Sequence, residues 1–224
     1  MGLNTAMAWS VVMPVKAIEQ GKSRLLASRS ARYRLGAAFL TDVLGALAAA
    51  RLVAEVIVVG NDPAVAELAT TGGARTLPEG AGGGLNAAAA IGLGAVTPGH
   101  AAAVMVADLP CLTGAAVDQI LVQAGRFPTA FVCDAAGTGT TMIMAQHPGD
   151  CRPQFGDRSR SRHAASGAVE LPGQINPEPG LQQAYWRARR DVDTEIDLWD
   201  AIRIGVGPAT AAALHANRAD DSRR

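Results

Sequence analysis

The sequence predicts a single-domain α/β fold with a mixed, mostly parallel sheet, and three observations lead there. Short apolar runs alternate with longer stretches of helical period, the pattern of strands linked by crossover helices. One run, Ala102–Ala107, is apolar throughout, as a strand covered on both faces must be. A pair of runs, Thr129–Asp134 and Thr140–Ala145, is separated by only five residues, too few for a crossover, so these two are antiparallel.

The elements follow in order. Trp9–Val15 is the first strand. Arg29–Arg51 is a long helix whose Leu35, Phe39, Val43 and Leu47 recur every fourth residue and are expected on one sheet-facing stripe. Glu55–Val59 is a strand, after which Asp62 caps a helix that opens on Pro63. Leu85–Leu93 is helical, following the glycine-rich EGAGGG at 79–84. Residues from about Gln146 to Leu181 are rich in Arg, Ser, Pro and Gly and read as an irregular functional loop. Trp186–Val192 reads as a last strand, Thr194–Ile204 as an amphipathic helix and Pro208–Ala216 as a final helix. The domain spans 1–216, with 217–224 a disordered tail.

Composition narrows the function classes. The 224 residues are 49% hydrophobic and 18% charged, enough apolar material for one sizeable core. Twenty basic residues balance twenty acidic ones, so no net field favours nucleic acid or a membrane surface, and a small-molecule partner is expected. Cys111, Cys133 and Cys151 form neither a CxxC pair nor a zinc spacing, which fits a reducing, cytoplasmic setting. No apolar stretch reaches the roughly 20 residues of a membrane span, and no signal-peptide pattern opens the chain.

Five polar stretches at the ends of apolar runs carry the chemistry. Lys16, Lys22 and Arg24 follow the first strand in VVMPVKAIEQGKSRL (11–25), where they would gather on a triphosphate or form an ordinary basic surface loop. The phosphate loops GxGxxG and GxxxxGK followed by Ser or Thr are absent, so side-chain charge must stand in for a backbone cradle. Asp108 emerges from a buried strand, and one such carboxylate suffices to begin a magnesium site, although a helix cap is the alternative. Asp191 and Asp193, spaced by two in an expected strand, share a face; Asp193 is also a candidate N-cap. Gly156, Ser159 and Gly167 frame Arg158, Arg160, Arg162 and His163, an anion site if Asp157 or Ser159 opens a helix and a solvated loop otherwise. His163 reads as a hydrogen-bonding or lid residue rather than a base.

Together these stretches resemble the guanylyltransferases that activate a phosphorylated three-carbon acid in coenzyme F420 biosynthesis, the phosphoenolpyruvate and 2-phospho-L-lactate guanylyltransferase family. The resemblance rests on VKAIEQGKSRL, LNAA at 85–88, DLP at 108–110, GTGT at 137–140, FGDRSRSRHAASGAVEL at 155–171, DVDT at 191–194 and GVGPAT at 205–210. It implies a GT-A-like nucleotidyltransferase, a Rossmann-like α/β/α sandwich with about seven strands. It also implies that Lys16, Lys22 and Arg24 bind and neutralise the phosphates of GTP, with Asn86 near the nucleotide. By the same resemblance Asp108, Asp191 and Asp193 hold Mg2+, and Thr140, Gly156 and Ser159 bind phosphoenolpyruvate. GTP and a three-carbon phosphorylated acid are the implied substrates; a homodimer and a downstream transferase that takes the product are compatible partners. The chain departs from the family pattern at Ala107, where relatives usually have Gly, and at 172–188, which reads as an insertion. Transfer to 2-phospho-L-lactate or 3-phosphoglycerate, and a catalytically silent nucleotide-binding module, are the alternatives.

Overall fold

The computed structural model describes residues 7–18, 25, 28–172 and 178–221. Its centre is a seven-stranded sheet in the order β3-β2-β1-β4-β6-β5-β7. The strands are β1 (Trp9–Pro14), β2 (Val53–Val59), β3 (Arg75–Leu77), β4 (Ala101–Met105), β5 (Thr129–Cys133), β6 (Thr140–Ala145) and β7 (Val169–Leu171). The helices are α1 (Arg29–Ala49), α2 (Pro63–Thr71), α3 (Gly84–Leu93), α4 (Gly114–Ala124), α5 (Ser159–Ala165), α6 (Pro179–Arg189), α7 (Glu195–Ile204) and α8 (Pro208–Asp221), with a 3-10 turn at Pro148–Asp150.

Among the described residues only β6 runs against its neighbours, pairing antiparallel with both β4 and β5, while the remaining pairs are parallel. The short connection between β5 and β6 forces that reversal. Alternate residues divide between two cores: Trp9, Val11 and Met13 of β1, with Ala103 and Met105 of β4, face a cluster that includes Leu47 of α1, Ile120 of α4 and Tyr185 of α6. Val12, Val104, Phe131 and Ile143 face the opposite way, onto Ala88 and Ala89 of α3 and onto Cys151 and Phe155. The period-2 geometry of a strand thus produces the three layers.

The chain runs from β1 to β2 and β3 on one side and returns to β4 on the other, which opens a crevice at the carboxyl ends of β1 and β4. Ligands of open α/β sheets collect in such a crevice. The candidate site is therefore expected at the β1–β4 crevice.

Several expectations are corrected. Residues 186–192 form no strand: α6 runs to Arg189, because Leu181, Ala184, Tyr185 and Ala188 recur at helical spacing and pack into the sheet-facing core. The 146–181 stretch is not wholly irregular: its described residues hold the 3-10 turn, α5, β7 and the start of α6. Leu35 and Phe39 do not share the sheet-facing stripe of Val43 and Leu47, but join Leu198, Ala201 and Ala213 in a third cluster under α7 and α8. At 3.6 residues per turn a four-residue spacing drifts about 40° per step, so the stripe winds around the helix. The helix α8 continues to Asp221, past the expected end at Ala216. The sequence reading also passed over the short edge strand β3 and the helix α4.

Candidate active site

Lys16, Ala107, Asp108 and Asp193 line one cavity of ≈ 250 Å³ at the carboxyl ends of β1 and β4, with Leu85 at the start of α3 on its wall. The cation arrives on the residue pair after β1, and the first carboxylate on the loop after β4. The second comes from far along the chain and is delivered by backbone bonds. The Val192 N–H donates to the Asp108 carbonyl at 3.1 Å, and the Gly207 N–H to the Pro110 carbonyl at 2.8 Å. The Arg187 guanidinium spans the Cys111 and Gly205 carbonyls at 2.9 and 3.1 Å. The Asp-Leu-Pro loop is thereby fixed against the Asp-Val-Asp-Thr segment, with Leu109 fully buried as its anchor.

Asp191 and Asp193 sit in the turn between α6 and α7, not in a strand. Asp193 is not the N-cap of α7. That position belongs to Thr194, whose hydroxyl and backbone form a capping box with Asp197. Asp197 is itself braced by Arg190 at 3.0 Å. Burial, then the negative charges of Asp108, Asp193 and Asp134, push the Asp191 carboxyl up to about 7. Such mutual repulsion among hard oxygen donors fits a divalent cation, which offsets it. Among the described residues no three His, Cys, Asp or Glu side chains are grouped so that they could hold a metal ion, and only Asp108 and Asp193 of the three expected carboxylates line the cavity. Magnesium needs only one or two carboxylates when substrate oxygens and water complete its shell.

Lys22 and Arg24 lie outside the described residues. The basic loop they belong to is tethered at its start: the Ile18 N–H donates to Asp62 Oδ2 at 3.0 Å, while Asp62 Oδ1 caps α2 through the Ala64 N–H.

Thr140 opens β6, and the start of α5 lies beside the turn before it: the Arg160 N–H donates to the Thr138 carbonyl at 3.2 Å, and the Ser159 N–H to the Gly156 carbonyl at 3.1 Å. Asp134 shapes the turn before Thr140 by accepting the Thr138 and Gly139 N–H groups at 2.9 and 2.8 Å. A Cβ at position 139 would collide with that carboxylate, which is why the GTGT run has a glycine there. Ser159 opens α5 and is buried, and Gly156 adopts a positive φ of 114° just before it. His163 is fully buried between Phe131 and Phe155, its Nδ1 at 2.9 Å from Thr140 Oγ1 and its Nε2 accepting the Gln154 N–H at 2.9 Å. Burial, then the nearby Arg162 charge, lowers its pKa to about 4, so the ring is neutral.

Three side chains expected near a ligand, Asn86, Arg160 and Arg162, also bond within the protein. Both polar atoms of the Asn86 carboxamide bind the Phe155 backbone, at 3.0 and 2.8 Å, so Asn86 holds the Phe155–Gly156 segment. Arg160 pairs with Glu170 at 2.9 Å and donates to the Gly137 carbonyl, and Arg162 donates to the Phe155 carbonyl. The sequence reading missed Asp134, and it gave Asp62 its capping role on α2 without the tether to Ile18; a lone Asp beside a turn carries only a capping signal.

The frame is that of the nucleotidyltransferases. It superposes on a nucleotide-diphospho-sugar transferase-type protein of Desulfovibrio desulfuricans with a TM-score of 0.67 at 20% identity, covering 95% of this chain and 96% of that one. A nucleotidyl transferase of Methanothermobacter matches with a TM-score of 0.59 at 17% identity over 94% and 99% of the two chains. At these identities the likeness is one of fold, which the chain shares with both. It belongs to the guanylyl transferase CofC like family, whose model matches residues 9–171. It is 43% identical over 216 residues to the phosphoenolpyruvate guanylyltransferase of Streptomyces scabiei, covering 92% of this chain and 96% of that protein. It is also 43% identical over 214 residues to the phosphoenolpyruvate guanylyltransferase of Geodermatophilus obscurus, covering 92% and 94%. No helix among the described residues is long and apolar enough to cross a membrane.

Proposed function

We propose that the enzyme transfers GMP from GTP to phosphoenolpyruvate, releasing pyrophosphate and forming enolpyruvoyl-2-diphospho-5′-guanosine for coenzyme F420 biosynthesis. The single observation that carries this reading is the meeting of Lys16, Asp108 and Asp193 in one cavity at the β1–β4 crevice. The relatives named for this activity and this acceptor support it.

The acceptor's phosphate is largely dianionic near pH 7, its second pKa being about 6, so it can attack the α-phosphorus of GTP without a general base. The enzyme must overcome repulsion between two polyanions and align the attacking oxygen with the departing pyrophosphate. Lys16, with Lys22 and Arg24, neutralises the charge that develops on pyrophosphate. Asp108 and Asp193, which line the same cavity, would hold Mg2+, whose chemistry there is to draw negative charge off the reacting phosphates, with the Asp191 carboxyl adding negative charge beside them. Thr140, Gly156 and Ser159 hold the acceptor, and Asn86 keeps the Gly156 segment in place.

A matrix of nucleotides against acceptors tests the reading through pyrophosphate release. GTP with phosphoenolpyruvate should exceed ATP or CTP with the same acceptor, and exceed GTP with 2-phospho-L-lactate or 3-phosphoglycerate. Preference for another acceptor reassigns the substrate; nucleotide binding with no release for any pair contradicts an enzyme.

A further inference from the structure

Resting on the reading that Thr140 binds the acceptor, we propose that His163 is a positioning residue: its Nδ1–H donates to Thr140 Oγ1 and so leaves the Thr140 hydroxyl hydrogen to donate to an anionic oxygen of the acceptor. The hydrogen-bond inventory makes the argument. A neutral imidazole has one donor and one acceptor nitrogen. The Gln154 backbone N–H can only donate, and it lies 2.9 Å from Nε2, so Nε2 is the acceptor and the ring proton sits on Nδ1. Thr140 Oγ1 lies 2.9 Å from that Nδ1 and must therefore accept from it. The hydroxyl hydrogen cannot point back at a protonated nitrogen.

Thr140 is only 6% exposed, and His163 is the one side chain among the described residues bonded to its hydroxyl. A buried hydroxyl with an unsatisfied donor is costly unless a ligand accepts from it. The ring has little freedom to reverse these roles. It lies 5.8 Å from the Phe131 ring and 5.7 Å from the Phe155 ring, centroid to centroid. Asn86 in turn fixes the Phe155 backbone, so the clamp extends from α3 through Phe155 and His163 to Thr140. Moving the ring proton to Nε2 would leave the Gln154 N–H facing a donor, and flipping the ring would put carbons in place of both nitrogens. The backbone amide of one loop thus dictates the direction in which a hydroxyl on β6 donates.

Three variants separate this role from simple bracing. Asn at 163 keeps a donor near the place of Nδ1; Gln keeps an acceptor near the place of Nε2; Phe keeps the ring shape and neither. His163→Gln and His163→Phe should raise KM for phosphoenolpyruvate about tenfold, on the scale of one hydrogen bond to a charged group, with KM for GTP within about twofold of wild type. His163→Asn should stay within about threefold of wild type for both substrates. In a Thr140→Val background, His163→Phe should add nothing further. Recovery by Gln and not by Asn overturns the proposal, because His163 would then act by bracing Gln154. A raised KM for the acceptor in Thr140→Val with wild-type behaviour in His163→Gln and His163→Phe overturns the role of His163 alone. No change in Thr140→Val overturns the acceptor-site reading and the proposal with it. Nitrogen-15 spectra of the labelled wild-type protein provide a readout independent of variant folding. The neutral Nδ1–H tautomer at pH 7 is expected, and an Nε2–H tautomer or an imidazolium overturns the proposal.

Discussion

His163 cannot take up a proton without losing the Gln154 N–H bond, and its surroundings resist the charge: two aromatic rings and the Arg162 guanidinium face it, with only the Ser159 backbone favouring the cation. Its folded pKa, about 4, lies below the ordinary 6.5. Between those values the unfolded chain binds a proton that the folded protein refuses, so stability falls as pH drops through the window and levels off below it. The full effect is on the order of 3 kcal/mol. Urea unfolding of wild type and His163→Phe from pH 4 to 7 should show a flatter profile for the variant; parallel profiles would contradict the account. Asp191 titrates with the opposite consequence. Its carboxyl is raised to about 7, so in the metal-free protein this group favours folding less as pH rises from the ordinary carboxylate range toward 7. A divalent cation competes with that proton. The gain in thermal midpoint from added Mg2+ should therefore be larger at pH 8 than at pH 6, and much reduced in Asp108→Asn. An equal gain at both pH values would detach Asp191 from the metal.

At the level of elements, the joints between helices and loops hold the site together. Asp62 is shared between the helix it caps and the start of the basic loop. Asp62→Ala should cost about 1 kcal/mol as a lost cap and raise KM for GTP several-fold; a stability loss with unchanged GTP kinetics would confine Asp62 to capping. The Gly-Val-Gly-Pro-Ala-Thr run is such a joint too. Asp42, buried on α1, accepts the Ala209 and Thr210 N–H groups at 2.9 Å each and so caps α8 from another helix. A Cβ on Gly207 would collide with that carboxylate. Gly207→Ala should destabilise by about 2 kcal/mol or more in chemical denaturation, and a neutral result would remove the packing reason for this glycine. These joints also explain what the sequence revealed. Asp62 and Pro63 announced their helix because capping is local, and the β5–β6 reversal followed from loop length alone. The segment around Trp186 misled because Tyr, Trp and Val favour strands, whereas burial against α4 decided for helix. Asp42 and Asp134 stayed invisible as caps because their partners are distant or hidden in a glycine-rich turn.

Across the whole molecule, the sheet order converts separate stretches of sequence into one site. The chain leaves β1 in one direction and returns to β4 in the other, so the loops after these strands face a common crevice. Backbone bonds from Val192 and Gly207 then draw the last third of the chain onto the Asp108 loop. The positions of Lys16 and Asp108 at strand ends could be read from the sequence, because apolar runs mark where strands stop. That Asp193 joins them followed only from the family resemblance and not from local pattern, since its approach depends on the packing of α6 and α7. The account stands on the carboxylates and the cation acting on one pair of phosphates, and Asp108 is their centre. The most direct measurement is the rate of pyrophosphate release from GTP and phosphoenolpyruvate with Mg2+ by the Asp108→Asn variant. The account predicts a rate at least about two orders of magnitude below wild type, with the fold intact; release near the wild-type rate would contradict it.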